Sequence, residues 1–234
     1  MTIYRARRHT RREMRLRRPT PADLGLTPEE GRALRALRTP ERIQEFIVGL
    51  GANFEFGGDT LRSVRGALKH RQAHCIEAAF VAACALWLQG RPPLLMDLTA
   101  DKTDSDHVVA VFQRDGCWGA ISKSNHVWVR WRDPIYRSPR ELAISYFHEY
   151  TLHTRKTLRT YSRPVDLRRF PTAMWVTNAE DCWDVGAALC DVPHYPLVTS
   201  AQIRRLFPRD AMELRADRLV QYRSRRDPKR AKRY

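Results

Sequence analysis

The chain has 234 residues, 43% of them hydrophobic, and a formal net charge of +16. That length and apolar content suit one ordinary domain with a sizeable core, and without an uninterrupted run of about 18 apolar residues no bilayer-spanning segment is expected. No apolar stretch follows the arginines at the start, so a secretory signal is not expected either.

The charge is concentrated at the ends. Residues 1–18 hold eight arginines against Glu13, and residues 223–234 hold seven basic residues against Asp227. Both stretches are expected to be basic disordered tails flanking a single domain over 19–222. They suit solvation, non-specific contact with a polyanion such as nucleic acid, or contact with an anionic membrane surface; with aromatics limited to Tyr4, Tyr222 and Tyr234, base stacking is not suggested. Five cysteines, an odd number without a CxxC spacing, fit free thiols in a reducing compartment, with the cytoplasm as the expected location.

Along the chain, Thr27-Pro28-Glu29-Glu30 and Thr39-Pro40-Glu41 are two helix starts of one kind. In each, a threonine can cap free amides, proline occupies the first helical position, and acid meets the positive end of the dipole. Helices are expected over roughly 28–38 and 40–50, and a third, capped by Asp59, over 60–69. "CIEAAFVAACALWLQ" from Cys75 is apolar all round and predicts a buried helix, stopped by Gly90 and Pro92-Pro93.

After it the period changes. "PLLMDL", "HVVAVFQ" and "CWGAIS" predict short antiparallel strands, with Asp115-Gly116 as a two-residue hairpin turn. "SPRELAISYFHEYTL" predicts a helix, "PTAMWVT" a strand, "NAEDCWDVGAALC" a helix, and the segment from Ser200 two helical pieces broken at Pro208. The expected class is α+β: a helical N-terminal part whose buried central helix packs on a small antiparallel sheet.

The chemistry centres on Cys75. A thiol becomes a strong nucleophile as thiolate, and a helix N-terminus with cations nearby, here Lys69 and Arg71, favours that state. Its sequence neighbour His74 points about 100° away if both are helical, which makes it a poor partner. His107 opens the strand "HVVAVF" and is the better base. Cys84, Cys117, Cys182 and Cys190 read as core filler, and His126, His148, His153 and His194 as surface or satisfied residues. Trp118 and Trp128 read chiefly as packing, with a place on a cleft wall as the alternative. In "HEYTLH" the histidines stand five apart, about 140° around a helix, which does not make a zinc site. No metal or cofactor is expected.

Cysteine on a helix start, histidine on a strand start and then a hairpin resemble the transglutaminase-like superfamily with its papain-type core, over roughly residues 70–125. The resemblance implies that Cys75 attacks an amide or ester carbonyl in a peptide-like substrate, that His107 is the base, and that an aspartate on the next strand orients it. "AHC" stands where the family commonly has Gly-x-Cys. Counting from Trp118, the family aspartate falls on Ser122. The hairpin ladder instead places His107 opposite Ser124, and both serines share one strand face. Three readings stay open: a working dyad with Ser122, Ser124 or Asn125 as orienter; an acid from elsewhere, such as Asp97; or an inactive binding module with basic tails.

Overall fold

The computed structural model describes residues 18–222, so the two basic tails of the sequence reading, except Arg18, lie outside the described residues. The elements run α1 (Pro28–Ala36), α2 (Pro40–Gly49), β1 (Gly51–Ala52), α3 (Val64–His70), β2 (Gln72–Ala73) and α4 (Cys75–Leu88). They continue with β3 (Leu94–Ala100), β4 (His107–Arg114), β5 (Cys117–Ile121), β6 (Arg132–Tyr136) and α5 (Pro139–Ile144). Then come β7 (Thr151–Leu152), β8 (Arg155–Lys156), β9 (Leu158–Ser162), β10 (Val165–Asp166), α6 (Thr172–Trp175), α7 (Trp183–Cys190), β11 (His194–Pro196), α8 (Ser200–Ile203) and α9 (Ala211–Ala216). The class is α+β, with a small antiparallel sheet packed against helices. Among the described residues no helix is long and apolar enough to cross a membrane.

The two Thr-Pro starts cap as their sequences predict. Thr27 Oγ1 accepts from Glu30 N at 3.2 Å while Glu30 returns a bond to Thr27 N at 2.8 Å, and Thr39 Oγ1 accepts from Arg42 N at 3.3 Å. The third helix begins later than expected. Ser63, with β-region backbone, caps α3 by accepting from Gly66 N at 3.2 Å, and its own hydroxyl donates to Asn178 O.

Twelve of the fourteen residues of α4 are buried. Its alanines at 78, 79, 82, 83 and 85 are fully enclosed, which lets the helix lie close against both the sheet and the preceding helices. Phe80, Val81 and Leu86 supply the apolar bulk, each worth about 1.5–3 kcal/mol when fully buried. α1, α2 and α3 cover the side of α4 turned from the sheet.

The principal sheet runs in the order β11-β9-β3-β4-β5-β6, with β10 also paired to β3, and its pairings are antiparallel. β4 and β5 pair Arg114 with Cys117 and Ala110 with Ile121 across an Asp115-Gly116 turn whose residues both take positive φ, as the hairpin signal requires. Alternation divides the core. Leu95, Val108, Ala110 and Phe112 face the α4 cluster, while Met96, Leu98, Val109 and Val111 face a second cluster with Leu142, Tyr146 and Phe147.

Two expectations are corrected here. "PTAMWVT" forms the single turn α6, because Trp175 buries its ring against Phe80 and Trp87 at centroid distances of 6.0 and 6.1 Å. Of the cysteines read as core filler, Cys84 and Cys182 are buried, but Cys117 is partly exposed and Cys190 exposed.

Candidate active site

Cys75 is the first residue of α4 and lies partly exposed at the wall of a cleft of about 840 Å³. The first amides of a helix lack intrahelical acceptors, so the backbone N–H groups of Cys75 and Ile76 are available to an incoming oxyanion.

His107 opens β4 and is buried apart from its cleft edge. Its Nε2 lies 2.6 Å from Ser122 Oγ and 3.2 Å from Val129 O. The serine hydroxyl donates to the same Val129 carbonyl at 3.1 Å. A carbonyl only accepts, and a hydroxyl that spends its proton on Val129 offers His107 a lone pair. Nε2 therefore carries the hydrogen, which leaves Nδ1 as the nitrogen free to take a proton.

Ser122 is itself clamped. The side-chain amide of Gln44, from α2, accepts from Ser122 N at 2.9 Å and donates to Ser122 O at 2.8 Å. A residue just beyond the end of β5 thus has both backbone groups satisfied as though another strand were present. Tyr150 places its ring edge-on to His107 at 6.4 Å, and its hydroxyl donates to Ser105 O.

The other third-position residues are engaged elsewhere. Ser124 Oγ accepts from His126 N at 3.1 Å. Asn125 grips Tyr222 through both ends of its amide, at 3.0 and 2.8 Å. Asp97 is buried and pairs with His194 Nε2 at 3.1 Å; burial pushes its carboxyl up to about 6, against the pull of that histidine. Neither Trp118 nor Trp128 lines the cleft, whereas His126 and His153 do.

His74 is where the structure departs most from sequence reasoning. It is the N-cap of α4, with extended backbone at φ −93° and ψ −169°, so the 100° helical rotation that would turn it from Cys75 does not apply. Its Nε2 lies 2.9 Å from Thr60 O, 3.5 Å from Glu77 Oε1 and 3.7 Å from Glu55 Oε1. Glu77 is fully buried, and its carboxylate accepts from Asn53 Nδ2, Thr60 Oγ1, Arg62 N and His74 N at 2.9–3.2 Å. Burial opposes its ionisation, but the charge on His74 and then these donors bring its carboxyl below the usual range.

The thiol shares its cleft with both imidazoles. Burial opposes its ionisation, but interactions with His107 and then His74 prevail and bring Cys75 well below the ordinary thiol range. Burial likewise opposes charge on His74, yet the Cys75 thiolate, the Glu77 carboxylate and the Thr60 carbonyl raise it to about 9. Among the described residues no group of three or more metal-ligating side chains could hold a metal ion. Compared with known proteins, the chain matches no protein-family model and no curated protein sequence.

Proposed function

We propose that this chain is a cofactor-free cysteine enzyme that transfers an acyl group from an amide or ester, by hydrolysis or to a second acceptor, with a papain-type or transglutaminase-like core. The observation that carries the reading is a thiol at a helix N-terminus on a cleft that His107 also lines, with the far nitrogen of that imidazole committed to Ser122 and Val129. The Cys75 thiolate attacks the carbonyl carbon as the carbonyl π pair moves onto oxygen, where the amides of Cys75 and Ile76 receive it. The proton that left the thiol resides on His107 Nδ1 and passes to the departing amine or alkoxide as the C–N or C–O bond breaks. Water or an acceptor amine then attacks the thioester, gives its proton back to His107 and frees the thiol.

His74 supplies what a third-position aspartate would otherwise provide. An aspartate favours the imidazolium of the base and so, indirectly, the thiolate; here a second imidazolium, backed by the buried Glu77, favours the thiolate directly. Because thiolate chemistry requires a reduced cysteine, the reading places the chain in a reducing compartment, the cytoplasm.

The test is an aryl ester at neutral pH with intact-mass detection. An acyl adduct on Cys75, absent from Cys75→Ser and slow to clear in His107→Gln, is expected. Adducts spread over Cys117 and Cys190 with Cys75 unmodified would refute the reading. The alternative, an inactive relative that holds a polyanion through its basic tails, draws on the neutral Ser122 in the aspartate position. It predicts salt-sensitive retention on a polyanion column that disappears when residues 1–18 and 223–234 are removed.

A further inference from the structure

At the far end of α4 from Cys75, about 20 Å away along the helix, the chain builds a second feature that acyl transfer does not use. Arg18, Arg35, Arg38 and Arg91 line a pocket of about 480 Å³ floored by Leu34, Leu88 and Gln89. The four guanidinium groups come from three places. Arg35 and Arg38 lie at the C-terminal end of α1, and Arg91 follows Gly90, whose positive φ turns the chain off α4. Arg18 arrives through the Pro19–Pro21 segment, which packs so tightly on α1 that a Cβ at Gly31 would stand 2.6 Å from Pro21 Cβ.

Elsewhere Arg42, Arg65, Arg114, Arg132, Arg159, Arg168 and Arg209 each pair with a carboxylate. Among the described residues none of the four pocket arginines has a carboxylate within ion-pair distance, although Arg91 donates to Gln113 O at 2.5 Å. Helix dipoles account for part of this. The C-terminal ends of α1 and α4 both open here, and each carries about half a negative charge. That is about one charge against four.

We propose that this arginine pocket is a phosphate-binding site for the backbone of a nucleic acid. Guanidinium groups match phosphate oxygens in pairs, and several converging on one concavity exceed what a single small anion needs. A membrane surface would ask for apolar side chains at the rim. The large exposed ones, among them Phe56, Trp128, Ile135, Trp183 and Phe207, lie away from this pocket. With contacts confined to phosphates, binding is indifferent to base sequence.

The experiment uses the full chain, tails intact, and a fluorescein-labelled DNA duplex of about 20 base pairs, with affinity followed against salt. Arg35→Ala with Arg38→Ala should flatten the slope of log affinity on log salt by about 1.8, because each lost phosphate contact removes about 0.9. Over a fourfold rise in salt, the unsubstituted chain then loses about tenfold more affinity than the variant. Both side chains are exposed, so the melting curve should hardly move. Arg204→Ala with Arg205→Ala, an equal charge change just after α8, should leave the slope near its original value. An unchanged slope in the pocket variant, or equal flattening by the control, would overturn the site. Loss of binding to phosphatidylserine vesicles with DNA binding unaltered would overturn the assignment to nucleic acid.

Discussion

Replacing His74 by glutamine removes a charge from the candidate site while keeping a side chain that can donate to Thr60 O. Holding His74 at about 9 instead of its ordinary 6.5 corresponds to about 3 kcal/mol of preference for the imidazolium. Glu77 and Thr60 supply part of that. If the thiolate supplies about half, reciprocity requires that losing the His74 charge raise Cys75 by about one pKa unit. The assay is the rate of Cys75 alkylation by iodoacetamide against pH, read by mass spectrometry. The midpoint should move about one unit toward alkali in His74→Gln, with a rate on the acid side about tenfold lower and a plateau at high pH hardly changed. His107→Gln should also move it. Were the His74→Gln midpoint to coincide with that of the unsubstituted chain, the thiolate would owe nothing to His74 and the proposed division of labour would fail. Stability carries the same signature. Because His74 is raised, its contribution is fully present below 6.5 and fades as pH climbs through about 9; because Cys75 is depressed, its contribution is lost as pH falls through that lowered value. The excess stability of the unsubstituted chain over His74→Gln should therefore be greatest between those limits.

Glu77→Ala leaves the donors of Asn53, Thr60, Arg62 and His74 without their acceptor in a buried site, and a urea midpoint should report a loss of about 3–5 kcal/mol. Ser122→Ala spares Val129 O as an acceptor for His107 Nε2, so the acylation rate should fall by about tenfold and not collapse, as expected of one positioning contact in general acid–base catalysis; an unaltered rate would remove the serine from the mechanism. Asp97→Asn should stabilise the fold at pH 8 by about 2–3 kcal/mol and hardly at all near pH 4. The raised carboxyl, at about 6 against 3.8, makes folding progressively less favourable as pH rises between those values, and equal melting temperatures for variant and parent at pH 8 would contradict this.

Much of the arrangement was legible because it depends on short-range rules. Thr27 and Thr39 cap their helices by side-chain geometry confined to one turn, and the Asp115-Gly116 turn fixes the β4–β5 register locally. Counting along that hairpin brought Ser122 and Ser124 to the face of His107. Only the tertiary clamp from Gln44 and the Val129 carbonyl decides between them, and partners 78 and 7 residues away leave no periodic trace. The helical rotation that turns His74 from Cys75 in sequence holds only inside a helix, and His74 stands just before one. The Glu three residues after it, in capping order, was the available signal that it is an N-cap. β6 and β9 carry little strand signal in sequence because neither shows a clean alternation: β6 contains Pro134 and is an edge strand, and β9 is polar at Arg159 and Thr160.

The buried Glu77 has a bearing on motion. Its carboxylate is tied at once to Asn53, Thr60, Arg62 and the start of α4, so the segment 53–62, whose Asn53 and Phe54 line the cleft, cannot lift away without stranding an ionised group away from water. Any breathing of that segment is thereby restricted to its tip, around Gly57 and Gly58, while its two roots open only with the start of α4 itself. Amide hydrogens of Arg62 and His74 should then exchange with solvent together, at rates set by one shared opening event, and far more slowly than those of the glycines between 53 and 62.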